Sequence, residues 1–255
     1  MLGITRNVRL PDKKEWVYIA SGSLLSVVLH HYFLADGLSK TSAANAGLIL
    51  GMGPLLTVML SMIFLKKRPT ALALAGFFLG GIGVSITVLF GTGTVRSITI
   101  GDFDIFMAIL SQAISFLIIN KVSKTMNPVL FTGYMLFFGS IALFLISIVL
   151  EPNGLVTITK AAPSLWMVFL LSAVFGTGMG HAVYNYCISQ VGPAEASIFL
   201  NLNTFFSIVG AALFLNEAIV PAHYAGLVLI VSGVLLGSGT LEAWITQRKN
   251  KQLQL

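Results

Sequence analysis

Eight apolar segments divide this sequence, and none of them contains a lysine or an arginine. The segments are residues 16–34, 41–65, 70–90, 103–119, 129–150, 164–189, 193–215 and 222–237. The two acidic side chains within them, Asp104 and Glu195, each fall in a first turn. A helix of about 20 apolar residues crosses a bilayer, and a central charge costs about 2.5–3.5 kcal/mol on insertion scales. The pattern therefore predicts an all-α integral membrane protein with eight transmembrane helices.

The composition excludes most other classes of protein. Charged residues make up 9% of the chain and hydrophobic residues 56%, too few charges to cover a soluble surface. No basic–aromatic stripe or nucleic-acid-binding motif is present, and the single cysteine, Cys187, excludes a multi-cysteine metal or redox motif. The sequence has no HExxH, GxSxG or phosphate-loop motif. We therefore expect lipid as the surroundings and no enzyme activity, cofactor, metal or nucleic-acid partner.

The basic residues indicate an orientation. With eight spans, twelve of the fifteen Lys and Arg residues fall on one side, and Lys40, Arg96 and Lys160 fall on the other. The positive-inside rule then places both termini in the cytoplasm and the protein in the cell membrane. Residues 1–15 become a cytoplasmic N-terminal segment, residues 91–102 an external linker and residues 239–255 a basic cytoplasmic tail.

An internal repeat appears when the chain is shifted by 150 positions. Twelve identities fall between residues 31 and 84 and their counterparts, among them His31 with His181 and the pair Ala75-Gly76 with Ala225-Gly226. Because the offset spans five helices, an odd number, the two copies cross the membrane in opposite directions. The first copy covers residues 16–90 with three helices and the second covers residues 103–238 with five. A five-plus-five design therefore requires two more helices ahead of the first copy.

Motifs in both copies resemble the EamA-type family of the drug/metabolite transporter superfamily. They are VFGTGMGH at 174–181, YNY at 184–186, VGPA at 191–194, FLNE at 214–217, Pro54 and Phe64-Leu65. The resemblance implies ten helices in two inverted repeats and movement of small metabolites driven by an ion gradient or by exchange. Three departures are present. The family's first two helices have no counterpart, Thr204 occupies the second proline position, and Lys67 replaces the acid kept as Glu217.

Several polar side chains inside the spans are candidates for a binding site, because an amide in lipid needs a partner or a wet cavity. The candidates are Gln112, Asn201 and Asn203, together with His31, His181, Tyr184 and Asn185. The last three share a helix face, and we expect Gly176, Gly178 and Gly180 to allow close helix approach there. Asn201 and Asn203 point about 200° apart, so we expect one to line a cavity. Each has an alternative role in helix packing.

His181 and Glu195 are the candidates for ion coupling, because imidazole titrates near neutral pH. A proton or a cation would be the coupled ion, although a helix-dipole role alone accounts for Glu195. The sequence thus predicts a secondary transporter for a small metabolite or amphipathic compound, working by alternating access. The alternative is a truncated, inactive remnant or a membrane subunit that needs a partner, and a homodimer that completes the cavity shares features of both.

Overall fold

The computed structural model describes residues 9–66, 68–92, 98–152, 154–159, 161–215 and 219–239. All regular structure within these ranges is helical. Parts of the predicted N-terminal segment (1–8), the linker (93–97) and the tail (240–255) lie outside the described residues, as do Lys67 and Glu217.

Eight helical segments correspond to the eight predicted spans. They are α1 (Lys13–Lys40), α2 (Ala43–Gly51 and Gly53–Phe64), α3 (Ala71–Phe90), α4 (Ile100–Val122), α5 (Pro128–Leu150), α6 (Pro163–Val191), α7 (Pro193–Ser197, Ile198–Asn201 and Leu202–Leu215) and α8 (Pro221–Gly237). A short helix, Gly154–Thr159, lies between α5 and α6. Four of the helices begin with a proline, as expected where the missing N–H has no helical partner.

Six of the eight segments, α1 to α6, form described helices long and apolar enough to cross a membrane. The α8 helix is apolar but has only 17 residues, and α7 is broken into three pieces. The prediction of eight spans is therefore confirmed in part: the multi-pass helical architecture is present, and the number eight is not established.

The helices are irregular at positions that correspond through the 150-residue shift. In α1, residues Ser23–Leu29 form a π-helix, and in α6 residues Ser172–Met179 do the same. The second span is broken at Met52, directly before Gly53 and Pro54, as expected where a proline inside a helix removes a backbone hydrogen bond. In α7 a 3₁₀ segment, Ile198–Asn201, ends directly before Leu202, the residue 150 positions after Met52. Departures from α-helical geometry of this kind are frequent at functional sites.

Helices α3 and α8 meet along a glycine seam. A Cβ added at Gly76 would lie 2.3 Å from the backbone nitrogen of Gly237, and one at Gly83 would lie 2.8 Å from the carbonyl oxygen of Gly226. Backbone therefore packs directly on backbone, the close approach that small residues permit in membranes. Gly76 and Gly226, which lie on opposite sides of this seam, are 150 positions apart in the chain.

Helix α1 begins with a capping box and is covered by neighbouring helices. The Asp12 carboxylate accepts from the backbone N–H of Glu15 at 2.8 Å, and Arg9 donates to Glu15 at 2.7 Å, which raises the pKa of Arg9. Farther along, the Ser23 hydroxyl donates to the carbonyl oxygen of Met135 in α5 at 3.0 Å. Glu15, Ser23 and Met135 are buried, so α1 lies within the bundle.

Helix α6 lies largely outside the bundle. No residue of Pro163–Leu171 or Ser172–Met179 is buried. Among the described residues, no atom of another helix lies within 4 Å of a Cβ built on Gly176, Gly178 or Gly180. The expectation that these glycines support close helix approach is wrong for this structure, because no described helix reaches their face.

Candidate functional site

Two histidines that are 150 positions apart in the chain, His31 and His181, lie side by side between α1 and α6. The ring centroids of His31 and His181 are 6.4 Å apart, and the rings are inclined at 33°. Both side chains are half-buried. Residues 150 positions apart in the chain are thus brought together, where each helix leaves its π-helical segment.

The two imidazoles are held by equivalent hydrogen bonds. Nδ1 of His31 lies 3.0 Å from the carbonyl oxygen of Val27, and Nδ1 of His181 lies 3.0 Å from that of Thr177. Val27 and Thr177 are also 150 positions apart in the chain. Since a carbonyl oxygen only accepts, the partner assigns the proton to Nδ1 on both rings. Each neutral ring then carries its free lone pair on Nε2.

A third histidine, His30, completes the group and was missed as a site residue at the sequence level. Its ring lies 5.1 Å from that of His31 in an edge-to-face arrangement, and its Nδ1 lies 3.0 Å from the carbonyl oxygen of Ala108 in α4. Adjacent residues such as His30 and His31 project about 100° apart on a helix, which does not favour binding of one metal ion by both. The described residues contain no cluster suited to a metal ion, but edge contact between the rings needs no shared ligand.

Gln112 lies one turn beyond Ala108 on α4 and reaches α1. The Ser26 hydroxyl donates to Oε1 of Gln112 at 3.4 Å, near the upper limit for a hydrogen bond. Ser26 is fully buried, whereas Gln112 is half-buried. The Gln112 amide therefore lies between α1 and α4, the same two helices that are joined by the contact of His30 with Ala108.

Tyr184 and Asn185 do not form one polar face with His181. The Tyr184 ring packs on Phe116 of α4 at 5.2 Å between centroids, and its hydroxyl is buried without a hydrogen-bond partner among the described residues. Asn185 is buried and donates from Nδ2 to the hydroxyl of Thr132 in α5 at 2.9 Å. The face of α6 that carries His181, Tyr184 and Asn185 is about 100° wide, and these residues contact three different helices: α1, α4 and α5.

The α7 candidates lie apart from the histidines. Asn201, at the end of the 3₁₀ segment, is 3% exposed, and its Nδ2 lies 2.5 Å from a Cβ built on Gly80 of α3. That nitrogen has no hydrogen-bond partner among the described residues. Asn203 is exposed, so the two amides diverge as predicted. Glu195 lies in the first turn of Pro193–Ser197.

Comparisons with known proteins identify the chain's relatives. The model of the EamA-like transporter family matches residues 1–89 and 99–239. An uncharacterized transporter, YyaM, of Bacillus subtilis is 28% identical over 80% of this chain and 67% of its own length. A WAT1-related chloroplastic protein of Arabidopsis thaliana is 24% identical over 87% of this chain. The chain spans about half the length of that plant protein, 54%.

A solved crystal structure has the same fold. It superposes with a TM-score of 0.76 at 18% sequence identity, covering 93% of this chain and 80% of its own. At that identity the likeness concerns the fold alone. The names of the sequence relatives and the apolar helices agree on a multi-pass membrane protein. The chain belongs to the EamA-like transporter family.

Proposed function

We propose that the chain is a secondary transporter that moves a small metabolite or amphipathic compound by alternating access. The observation that carries the proposal is the pairing of His31 with His181 at 6.4 Å between ring centroids. Two residues related by an inverted repeat meet only near the axis that relates the copies. Substrate sites of inverted-repeat transporters lie at that interface, near the middle of the membrane.

The irregular helices support an inverted design of two five-helix repeats. This chain carries three helices of the first repeat and five of the second. Both copies have a π-helical segment before the histidine, and both have a broken helix next along the chain. Discontinuous helices free backbone groups for ligands in transporters. The seam between α3 and α8 pairs the last helix of one copy with the last helix of the other, as a two-fold axis in the membrane plane would require.

The orientation follows from the charge distribution. We place both termini in the cytoplasm, so that α1 runs outward and α6 inward across the cell membrane. Residues 16–90 and 103–238 are then the two repeats, joined outside by residues 91–102. The family model matches the chain in two segments, which agrees with this division.

We assign different roles to the candidate residues. His31 and His181 form the wall of the binding site, with Gln112 and Tyr184 at its α4 side, and His181 is the main candidate for proton coupling. Glu195, at the start of α7, is the second. Asn185 joins α6 to α5 rather than contacting substrate, because its amide donates to Thr132.

Asn201 is placed in a second part of the path, at the break in α7. Its buried Nδ2 without a partner is a donor that a passing solute or a moving helix can satisfy, since an unmet buried donor costs about 1–3 kcal/mol. Asn203 is exposed on the same helix. It contacts solute when its side of α7 faces the cavity.

A partner subunit or a second copy of the chain is the alternative requirement for activity. The observation that favours it is the uncovered first half of α6. In that case the chain alone has the site but not the closed path. Native mass spectrometry of the protein extracted from membranes separates one copy from two, or from a complex with another protein.

Flux of small metabolites and amphipathic compounds into proteoliposomes that contain the full chain tests the proposal. We expect Gln112→Leu and Asn201→Leu to abolish transport, because each removes a polar group from the proposed path while keeping a helix former. Tyr224→Phe, on an exposed face of α8, is the matched control and should transport normally. Unchanged flux in both leucine variants, at equal expression, would contradict the assignment of the site.

A further inference from the structure

We infer that the cargo is a molecule with an N–H donor head group, of the primary ammonium class, bound between His31 and His181. The inference rests on the proposed function and goes beyond it by naming the chemistry of the substrate. It follows from which nitrogen of each ring is already engaged by the protein.

The donor atoms of both rings are used within the protein. Nδ1–H of His31 and of His181 each donates to a backbone carbonyl oxygen at 3.0 Å. No described residue forms a hydrogen bond with Nε2 of either ring. His30 repeats the arrangement, since its Nδ1 donates to Ala108. The rings therefore offer lone pairs, not N–H groups, to a ligand.

The surroundings of the rings supply no positive charge from lysine or arginine, since none of the eight apolar segments contains either residue. Oε1 of Gln112 faces α1 and accepts from Ser26, which adds an acceptor on α4. A carboxylate or phosphate cargo would thus meet the lone pairs of the rings with no lysine or arginine to offset the repulsion. A ligand with several N–H groups matches what the site provides.

The two rings are neighbours, with centroids 6.4 Å apart, so one ligand head group can contact both. Two hydrogen bonds of about 2.9 Å from one nitrogen reach acceptors up to about 5.8 Å apart. A primary ammonium has three donors, so it can bridge both Nε2 atoms and keep one N–H free. Bonds from a charged donor to a neutral acceptor are stronger than bonds between neutral groups.

A pair of probes with equal charge tests the inference. The full chain in lipid nanodiscs is titrated by calorimetry with 2-phenylethylammonium and with its N,N,N-trimethyl analogue, which has no N–H. We expect the primary amine to bind at least about tenfold more tightly, because two charge-assisted hydrogen bonds are lost in the analogue. Equal binding of the two, or no binding of the amine, overturns the inference.

Matched substitutions distinguish ligand binding from a structural role. Glutamine places its amide near the position of Nε2, whereas asparagine places its amide near Nδ1. We expect His31→Gln to keep affinity for 2-phenylethylammonium within about threefold and His31→Asn to lose about tenfold or more. The opposite order would mean that the bond to Val27 is what matters, and it would contradict the inference.

These experiments can contradict the inference about the cargo without contradicting the proposed transport function. If the amine fails to bind but flux of another solute depends on both histidines, the proposed function stands and the donor inference falls. If His31→Gln, His31→Asn and the unaltered protein all move the same solutes equally, the proposed site falls as well.

Discussion

Helices α1 and α6 are built alike and surrounded differently. Each has a π-helical segment, each carries a histidine just beyond it, and each histidine donates from Nδ1 to a carbonyl four residues earlier at 3.0 Å. Yet α1 is covered by α4 and α5, whereas no residue in the first half of α6 is buried. Local geometry is thus carried by the helix itself, and burial is conferred by its neighbours.

The glycines of the two regions show what a covering helix requires. Gly139 of α5 packs on Val27 of α1 so closely that an added Cβ would lie 2.5 Å from the valine Cβ. The counterpart of Val27 is Thr177 in α6, and the nearby Gly176 meets only an atom of its own helix. The small residues of α6 are thus typical of a packed helix interface, but no described helix packs against them.

The largest expected difference comes from filling the two glycine positions. We expect Gly139→Leu to lower the free energy of unfolding by about 1–3 kcal/mol, because the new side chain collides with Val27. Gly176→Leu should change it by less than about 0.5 kcal/mol, since the position is open. Reversible unfolding in mixed micelles measures both. A similar loss in the two variants would show that the face of α6 is covered in the membrane.

An intermediate effect is expected where α6 does join the bundle. Thr132→Val removes the hydroxyl that accepts from Asn185 and leaves a buried amide donor unpaired, so we expect a loss of about 1–2 kcal/mol. Ser140→Ala, at an exposed hydroxyl on the same helix, is the control and should be neutral. Equal stability of the two variants would remove Asn185 as the attachment of α6 to α5.

The smallest effect compares equivalent positions on the two helices. Ser23→Ala deletes the hydrogen bond to Met135, and bonds of this kind within membranes contribute about 0.6 kcal/mol on average. Ala173→Ser, the counterpart change in α6, adds a hydroxyl at a position that is not buried, and we expect no measurable change. The same unfolding assay applies, and a destabilising Ala173→Ser would indicate apolar contact there.

Much of the fold could be predicted from apolar length, charge and proline placement. These fix where each helix runs, because lipid penalises charge and an unpaired backbone strongly. The shift of 150 residues also singled out His31 and His181, which the structure places together. The break next to Pro54 also has a cause visible in the sequence, since proline removes a helical hydrogen bond.

The rest depended on contacts that a single sequence does not reveal. The π-helical segments have no residue signature, so the pairing of Nδ1 with a freed carbonyl could not be foreseen. Tyr184 and Asn185 were assigned to one face by their spacing, but neighbouring residues on one face can contact different helices. Whether Gly176 faced a helix was likewise a question of what packs against it, which spacing alone does not answer.

The glycine seam between α3 and α8 has a consequence for mutational tolerance. At Gly76 and Gly83 even one methyl group would strike the backbone of the opposite helix, and no rotamer change can move a backbone atom aside. These sites therefore accept no single replacement, and a compensating change opposite them is impossible because glycine is already the smallest residue. In a library of random variants the seam should remain invariant while the first half of α6, residues 163–179, diversifies freely, so the frequencies of surviving variants alone would trace the line along which the two halves of the molecule meet.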